Sequence, residues 1–277
     1  MKTRLKEKLV IGMLAFAVLG MASCGKDEDK ATTSPDTNSM ELLSYMPPKK
    51  IKQVIIERSY DDDYEYTFLW DGDLLVGIDP KIGDGEDGFR NKKRYVYSNG
   101  RLDTVYSMNR EEHNNGIYYG YYEKMFYEGN RLVKIKRGDV FMVEVDGRIL
   151  VEEDEFSQTS ETELVYKDGY VSEVRGEDYV EKYEWENGNV VKVTSSLEEE
   201  CIDSIKYDSN PSPFPVIGMP IFRVERSWCK NNPIKICKGE NFAYDITNTY
   251  DSDGMPVSSV WVSSNGRVDR WTYTYYE

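Results

Sequence analysis

Apolar and polar residues alternate with a period of two along most of this chain. Aromatic residues occupy every second position in the segment 64–70, and the segment 271–275 repeats the pattern. Successive side chains of a strand point to opposite faces, so this alternation is typical of half-buried antiparallel strands. No segment beyond residue 25 shows a convincing helical period. The pattern predicts an all-β protein.

Glycines that follow an acidic residue or asparagine separate the alternating segments. Asn-Gly and Asp-Gly tolerate the positive φ that tight hairpin turns require, so each pair indicates a hairpin. Eight such pairs occur between alternating segments: Asp71-Gly72, Asn99-Gly100, Glu128-Gly129, Asp146-Gly147, Asp168-Gly169, Asn187-Gly188, Asp253-Gly254 and Asn265-Gly266. About fifteen strands joined in this way form an antiparallel meander, which is too large for one open twisted sheet. We therefore predict a curved or barrel-like sheet.

A short unit recurs around the turns: an aromatic residue, any residue, Asn or Asp, Gly, any residue, then Leu or Val. Segments 97–102, 166–171 and 185–190 match it position by position, and 127–132 matches with its glycine displaced by one. Three units add a valine five residues after the glycine. Positions two and five lie on opposite faces of a regular strand. Either both faces are covered or a bulge follows the turn, and the sequence leaves both interpretations open.

The hairpin pattern breaks between residues 210 and 233. Segment 210–215 contains three prolines, which lack backbone donors and are excluded from a central strand. The apolar residues nearby are suited to plug or cover an opening: Phe214, Ile217, Phe222 and Trp228. The sequence predicts an insertion here.

The first 23 residues have the form of an export signal. A basic start precedes an apolar run at 9–22, which is too short to span a membrane. Small residues directly before Cys24 resemble a bacterial lipobox, which implies cleavage before Cys24 and its modification with acyl chains such as palmitate.

The residues after Cys24 have too little apolar content to order themselves, so 24–47 is predicted to be a flexible tether. The antiparallel β domain is predicted to cover 48–277. Lys26, Asp27 and Glu28 resemble the export signal of surface-exposed lipoproteins in Bacteroidota. This resemblance implies an outer-membrane lipoprotein that faces the exterior.

The recurring aromatic units resemble the tyrosine–aspartate repeats of the RHS type. Together with the lipobox and the closing segment 273–277, they resemble more closely a Bacteroidota lipoprotein family of unknown function. The resemblance covers roughly residues 50–277 and implies a large, curved or barrel-like antiparallel sheet. It implies no catalytic or binding residue.

The chain is strongly acidic, with a formal net charge of −15. Removal of the signal, which carries a net +3, leaves the mature chain near −18. Such a surface repels phosphate backbones and anionic headgroups, which argues against nucleic acid as a partner and against electrostatic membrane binding. The predicted membrane partner is therefore the lipid at Cys24.

Three cysteines remain after Cys24. Cys229 and Cys237 flank a segment, 230–233, that has the composition of a turn, so one interpretation is a disulfide across a hairpin. The alternatives are three buried thiols, or a bridge that includes Cys201.

Candidate catalytic chemistry is sparse. The one histidine, His113, lies in a polar, turn-like segment, and nucleophilic catalysis of the Ser-His-Asp or Cys-His type needs a histidine as base. The loop 79–88 interleaves oxygen ligands with glycines, as calcium prefers, but its spacing does not match an EF-hand. We predict no catalytic residue, no metal site and no cofactor.

These features favour a non-catalytic binding or interaction module on the cell surface. Twenty-two tyrosines and five tryptophans offer stacking platforms for glycans, although most are expected to build the core. The alternatives are a purely structural envelope component and a carbohydrate-active enzyme that uses paired carboxylates. The expected partner is a glycan or an envelope protein.

Overall fold

The structure, a computed structural model, describes residues 46–82, 92–112, 117–145, 148–153, 159–197, 201–214, 229–239 and 242–277. No helix long and apolar enough to span a membrane occurs in these ranges. The described strands are β1 (Ile51–Arg58), β2 (Tyr64–Asp71), β3 (Leu74–Ile82), β4 (Lys92–Ser98), β5 (Arg101–Glu112), β6 (Ile117–Glu128), β7 (Arg131–Val145), β8 (Arg148–Glu153), β9 (Ser160–Lys167), β10 (Tyr170–Arg175), β11 (Val180–Glu186), β12 (Asn189–Ser195), β13 (Ser204–Pro211), β14 (Asn231–Lys238), β15 (Phe242–Tyr250), β16 (Pro256–Ser263) and β17 (Val268–Tyr275).

The seventeen strands form one antiparallel meander that curls into a nearly closed barrel. Strand β17 returns to pair with β1 over most of its length, so the two ends of the sheet meet. Strand β7 is long enough to pair with β9 near its start and with β8 near its end. The weakest join is between β12 and β13, where a single bridge connects Val193 and Ile202. The predicted all-β, barrel-like meander is confirmed.

The predicted tight turns of the three units that match position by position form with the expected backbone, whereas the pair 146–147 lies outside the described residues. Asn99 and Gly100 both have positive φ, 52° and 75°, and the pairs 168–169 and 187–188 repeat this geometry. A two-residue turn in which both central residues have positive φ has a backbone twist that matches the twist of the flanking strands. The backbone preference of the turn residues therefore favours these hairpins locally.

A bulge follows the turn of each repeated unit, so the valine five residues after the glycine lies on the same face as the Leu or Val two residues after it. Tyr97 pairs with Leu102, but the next pair is Val96 with Thr104, so Asp103 is the extra residue. The extra residue brings Leu102 and Val105 to the same face, and both are buried. A shift of one position also follows the turns between β2 and β3, β6 and β7, β9 and β10, and β11 and β12.

The aromatic residue of each unit joins one hairpin to the preceding one. Its hydroxyl or indole N–H donates a hydrogen bond to a backbone carbonyl on the neighbouring strand, at 2.7 to 2.9 Å, and we call this contact a seam bond. In the described residues the donors and acceptors are Trp70 to Ile51, Tyr97 to Leu75, Tyr127 to Leu102, Tyr166 to Leu132, Trp185 to Val171, Tyr207 to Val190 and Tyr275 to Pro256.

In five of the seven seam bonds, the acceptor is the Leu or Val that follows the turn of the preceding hairpin. The aromatic residue of one unit meets the carbonyl of the Leu or Val in the unit before it, just beyond the last backbone pair between their strands. Arg101 also lies over the ring of Tyr127, and Arg131 lies over Tyr166. The repeat is therefore a hairpin-to-hairpin contact as well as a turn signal.

The apolar core lies inside the barrel. It includes Val54, Phe68, Val105 and Trp271, which belong to strands from opposite ends of the meander. Phe214, from the predicted insertion, is buried against the rings of Phe68 and Tyr273. The centre of its ring lies 6.3 Å from the centre of each of those rings. Residues 215–228, which include Ile217, Phe222 and Trp228, lie outside the described residues, so the prediction that this segment plugs or covers an opening stays a prediction.

Candidate binding site

Polar side chains gather on the inner face of strands β4 to β7. Strand register places Lys93 opposite Ser107, and Ser107 opposite Tyr121. The adjacent row contains Tyr95, Val105, Glu123 and Arg137. Directly opposite residues lie on one face with Cβ atoms about 4.5–5.5 Å apart. Tyr95 and Val105 belong to the core, so this face points into the barrel. We call the following residues the inner polar patch: Lys93, Tyr95, Ser107, Tyr121, Glu123 and Arg137.

Three charged groups of the patch influence one another. Burial lowers the pKa of Lys93 while the Glu123 carboxylate raises it. Burial also raises the pKa of Glu123, and the charges of Lys93 and Arg137 oppose that change. No side-chain hydrogen bond contributes to either shift. The fold thus holds an ammonium and a carboxylate in a partly desolvated place without pairing them directly.

Two buried hydroxyls in the patch have no hydrogen-bond partner. The Tyr95 side chain is 6% exposed and Ser107 is fully buried, and neither the Tyr95 hydroxyl nor Ser107 Oγ is satisfied. An unsatisfied buried polar group costs about 1–3 kcal/mol, and most buried polar groups in proteins are satisfied. On this face, therefore, the hydroxyl groups of Tyr95 and Ser107 lack hydrogen-bond partners within the protein.

Aromatic rings border the patch on the side away from the seam bonds. The Arg137 guanidinium lies 3.6 Å from the centre of the Tyr121 ring. Tyr119, two residues from Tyr121 and so on the same face, contacts Phe141 with ring centres 5.4 Å apart. These rings are partly exposed. The arrangement offers flat apolar faces next to hydroxyls, a carboxylate and two cations.

A second polar cluster surrounds Asp208 in β13, and its hydrogen bonds are internal. The Asp208 carboxylate accepts bonds from the backbone N–H groups of Asn210 and Asn232, at 2.9 and 3.3 Å, from the Asn248 amide, and from the Tyr250 hydroxyl. Burial, followed by the bond to Asp208, raises the pKa of Tyr250. Because its carboxylate is saturated by protein donors, this cluster is suited to hold strands together.

The predicted export residues Cys24, Lys26, Asp27 and Glu28 lie outside the described residues, as do His113 and residues 83–88 of the loop considered for calcium. Within that loop Asp79 belongs to β3, where it accepts a hydrogen bond from Arg94 at 2.5 Å. In the part of the chain that the structure describes, no group of three or more His, Cys, Asp or Glu residues is arranged to hold a metal ion.

The predicted bridge between Cys229 and Cys237 is wrong. Cys201, Cys229 and Cys237 are free thiols. The segment expected to turn instead starts strand β14, and residues 231 to 237 alone span about 20 Å of extended chain. A disulfide requires Cα atoms within about 7 Å. Cys229 instead contacts the Tyr207 hydroxyl at 3.0 Å.

Sequence reasoning did not identify the inner polar patch. Its residues are spread over more than forty positions and four strands, and none belongs to a motif. One signal was present: Lys93 and Glu123 occupy inward positions of strands whose other inward residues are apolar or aromatic. Recognising it requires the register of each strand.

Comparisons with known proteins give little further information. No family model matches the chain, and no curated protein matches it. Among solved structures, a porin-like protein from Bacteroides uniformis aligns with 83% of this chain and with 100% of its own length, at 9% sequence identity and a TM-score of 0.40.

Proposed function

We propose that this protein is a surface-exposed lipoprotein whose barrel is a non-catalytic binding module for glycans. The observation that carries the proposal is the inner polar patch, where unsatisfied hydroxyls lie beside charged groups and aromatic rings. Sugars present hydroxyls in the ring plane and apolar C–H faces above and below it. The patch has hydrogen-bonding groups for the first and rings for the second.

The position of the patch also fits a tethered receptor. The chain enters the barrel next to the tight turns, where Lys50 pairs with Asp73 at 2.7 Å and Lys49 pairs with Asp251 at 2.7 Å. Glu123, a member of the patch, lies five residues along β6 from the turn-side end of that strand, about 16 Å away. In this proposal, the tether that follows Cys24 joins the barrel at its turn-side end, and the patch lies inside the barrel beyond that end.

The outer surface supports a lipid anchor as the membrane contact. Outward side chains form ion pairs, such as Lys192 with Glu184 at 3.1 Å and Lys124 with Asp103 at 3.3 Å. Such charges are stable in water and costly in hydrocarbon. Membrane attachment in this proposal therefore rests on Cys24, and display on the exterior rests on Lys26, Asp27 and Glu28.

The glycan proposal is tested by binding of the full chain, in detergent micelles, to an array of bacterial, plant and host polysaccharides. We expect binding that Glu123→Gln weakens about tenfold, because a carboxylate accepts hydrogen bonds from hydroxyl groups more strongly than an amide oxygen does. Glu184→Gln, on the outer face, is the matched control and should bind like the parent. Absence of binding to every polysaccharide, or equal binding by Glu123→Gln and the parent, would contradict the proposal.

Anchoring and display are tested separately in cells. Labelling with a fatty-acid analogue should mark the parent and not Cys24→Ala. Replacing Lys26, Asp27 and Glu28 together with alanine should keep the label but reduce cleavage by protease added to whole cells. A labelled Cys24→Ala protein would disprove the anchor, and unchanged cleavage would disprove the export signal.

A further inference from the structure

We propose that the ligand of the inner polar patch is an acidic saccharide, one whose sugar ring carries a carboxylate. The inference rests on the proposed glycan function and goes beyond it by naming the charge of the ligand. It is carried by the arrangement of Lys93, Arg137 and the unsatisfied hydroxyls of Tyr95 and Ser107.

The first argument compares Lys93 with the other cationic side chains of the protein. Acidic residues outnumber basic ones by 50 to 35, and many described cations contact a carboxylate directly. Examples are Arg94 with Asp79 at 2.5 Å, Lys134 with Glu161 at 3.2 Å and Lys235 with Asp245 at 3.2 Å. Lys93 differs, because burial lowers the pKa of its ammonium and no hydrogen-bonded carboxylate opposes that shift.

The second argument is energetic. Burial of the Lys93 ammonium destabilises its charged form, and the nearby Arg137 charge adds repulsion. A carboxylate placed between the two cations would offset both effects. A hydrogen bond between two charged groups is shorter and about twice as strong as one between neutral groups.

The third argument concerns the amount of charge. Two cations and the Glu123 carboxylate give the patch a net charge of +1, which matches one negative charge on a sugar ring. The Arg137 guanidinium stacks on Tyr121, so its N–H edge can meet the planar carboxylate in the two-point geometry that arginine favours. Glu123 remains for the hydroxyl groups of the same sugar.

The test compares acidic oligosaccharides with their methyl esters, which keep the ring and the hydroxyls but lose the charge. The probes are oligogalacturonate, a hyaluronan tetrasaccharide and sialyllactose, each titrated calorimetrically into the full chain in detergent micelles. We expect at least one acid to bind about tenfold more tightly than its ester. Lys93→Met and Arg137→Gln should remove this preference and leave binding of the ester within about twofold.

Lys124→Met, which removes an outward lysine paired with Asp103, is the control and should keep the preference. If Lys93→Met loses its cooperative thermal transition, the test rests on Arg137→Gln alone. Arg137 is exposed, so its substitution should leave the protein folded. Equal binding of every acid and its ester, or tighter binding of sulfated oligosaccharides, overturns the inference but leaves a glycan site that Glu123→Gln still weakens. Absence of binding to any saccharide overturns both this inference and the proposed function.

Discussion

Strands β2 to β12 and strands β13 to β17 solve the same packing problem in different ways. In the first group, the repeated wall, each pair of neighbouring hairpins is joined by the same seam bond from a Tyr or Trp side chain to a backbone carbonyl. In the second group, the closing wall, Tyr275 keeps such a bond to Pro256, but Tyr250, at the corresponding place between β14 and β15, donates its hydroxyl to Asp208.

The difference shows what a repeat can and cannot do. Each seam bond of the repeated wall joins only two adjacent hairpins, so the contacts are local and nearly independent. The closing wall must join the last hairpins around the segment 212–230, which interrupts the repeat. There the Asp208 carboxylate accepts hydrogen bonds from donors on β13, β14 and β15, so one side chain joins three strands.

The largest single effect is expected from removing the shared acceptor of the closing wall. Asp208→Ala leaves two backbone N–H groups, an amide and a phenol without their acceptor, so we expect a loss of about 3 kcal/mol in the free energy of unfolding. Urea denaturation of the full chain measures it. Asp245→Ala, which removes an exposed partner of Lys235, should change stability by less than about 0.5 kcal/mol. Equal effects of the two substitutions would mean that Asp208 is not a shared acceptor.

The turns of the repeated wall should come next. Gly100 has a φ of +75°, which a β-branched residue adopts only with strain. Gly100→Val should therefore lower the free energy of unfolding by about 2 kcal/mol, and the same holds for Gly169 and Gly188. Gly100→Asn should lower it by less than about 1 kcal/mol, because asparagine tolerates left-handed backbone. Identical denaturation curves for the valine and asparagine variants would contradict the turn assignment.

Alkaline pH should weaken the repeated wall through its phenols. Burial raises the pKa of Tyr97 and of Tyr166 to about 12. Because the folded-state pKa lies above the usual value of 10.0, the stabilisation is complete below pH 10 and is lost as the pH rises through 12. Solvent screening at these partly exposed rings reduces the effect, and we expect a loss of about 1.5 kcal/mol between pH 10 and 12.

Urea denaturation at pH 8, 10, 11 and 12 measures this loss. The variant carrying both Tyr97→Phe and Tyr166→Phe should be less stable than the parent at pH 8, because it lacks two seam bonds, and should lose less stability above pH 10. Parallel pH profiles for the two proteins would show that these phenols do not control alkaline stability.

The smallest effect is expected from one seam bond. Tyr127→Phe removes the hydroxyl that donates to the Leu102 carbonyl at 2.8 Å but keeps the ring, so stability should fall by about 1 kcal/mol. Combining it with Tyr275→Phe, at a distant seam, should give the sum of the single effects within about 0.5 kcal/mol. Tyr60→Phe, on an exposed ring, should have no measurable effect. Strong non-additivity would show that the seams form one network.

The sequence by itself determined the local features of the fold. The pairs at 99–100, 168–169 and 187–188 select tight turns through backbone sterics, and the period of two selects strands. Both signals act over a few residues, so they are readable without knowing which strands meet. The repeated unit also predicted a meander, because tight turns leave consecutive strands side by side.

Only the tertiary structure decided what depends on register and closure. The bulge at Asp103 places Leu102 and Val105 on one face, and the pairing of β1 with β17 brings together residues over two hundred positions apart. The same pairing rules bring Lys93, Glu123 and Arg137 onto one inner face and make residues 231–233 a strand rather than a turn. A shift of one residue reverses the face of every side chain in a strand. The inner polar patch is therefore a property of the assembled barrel, because no short stretch of the chain contains it.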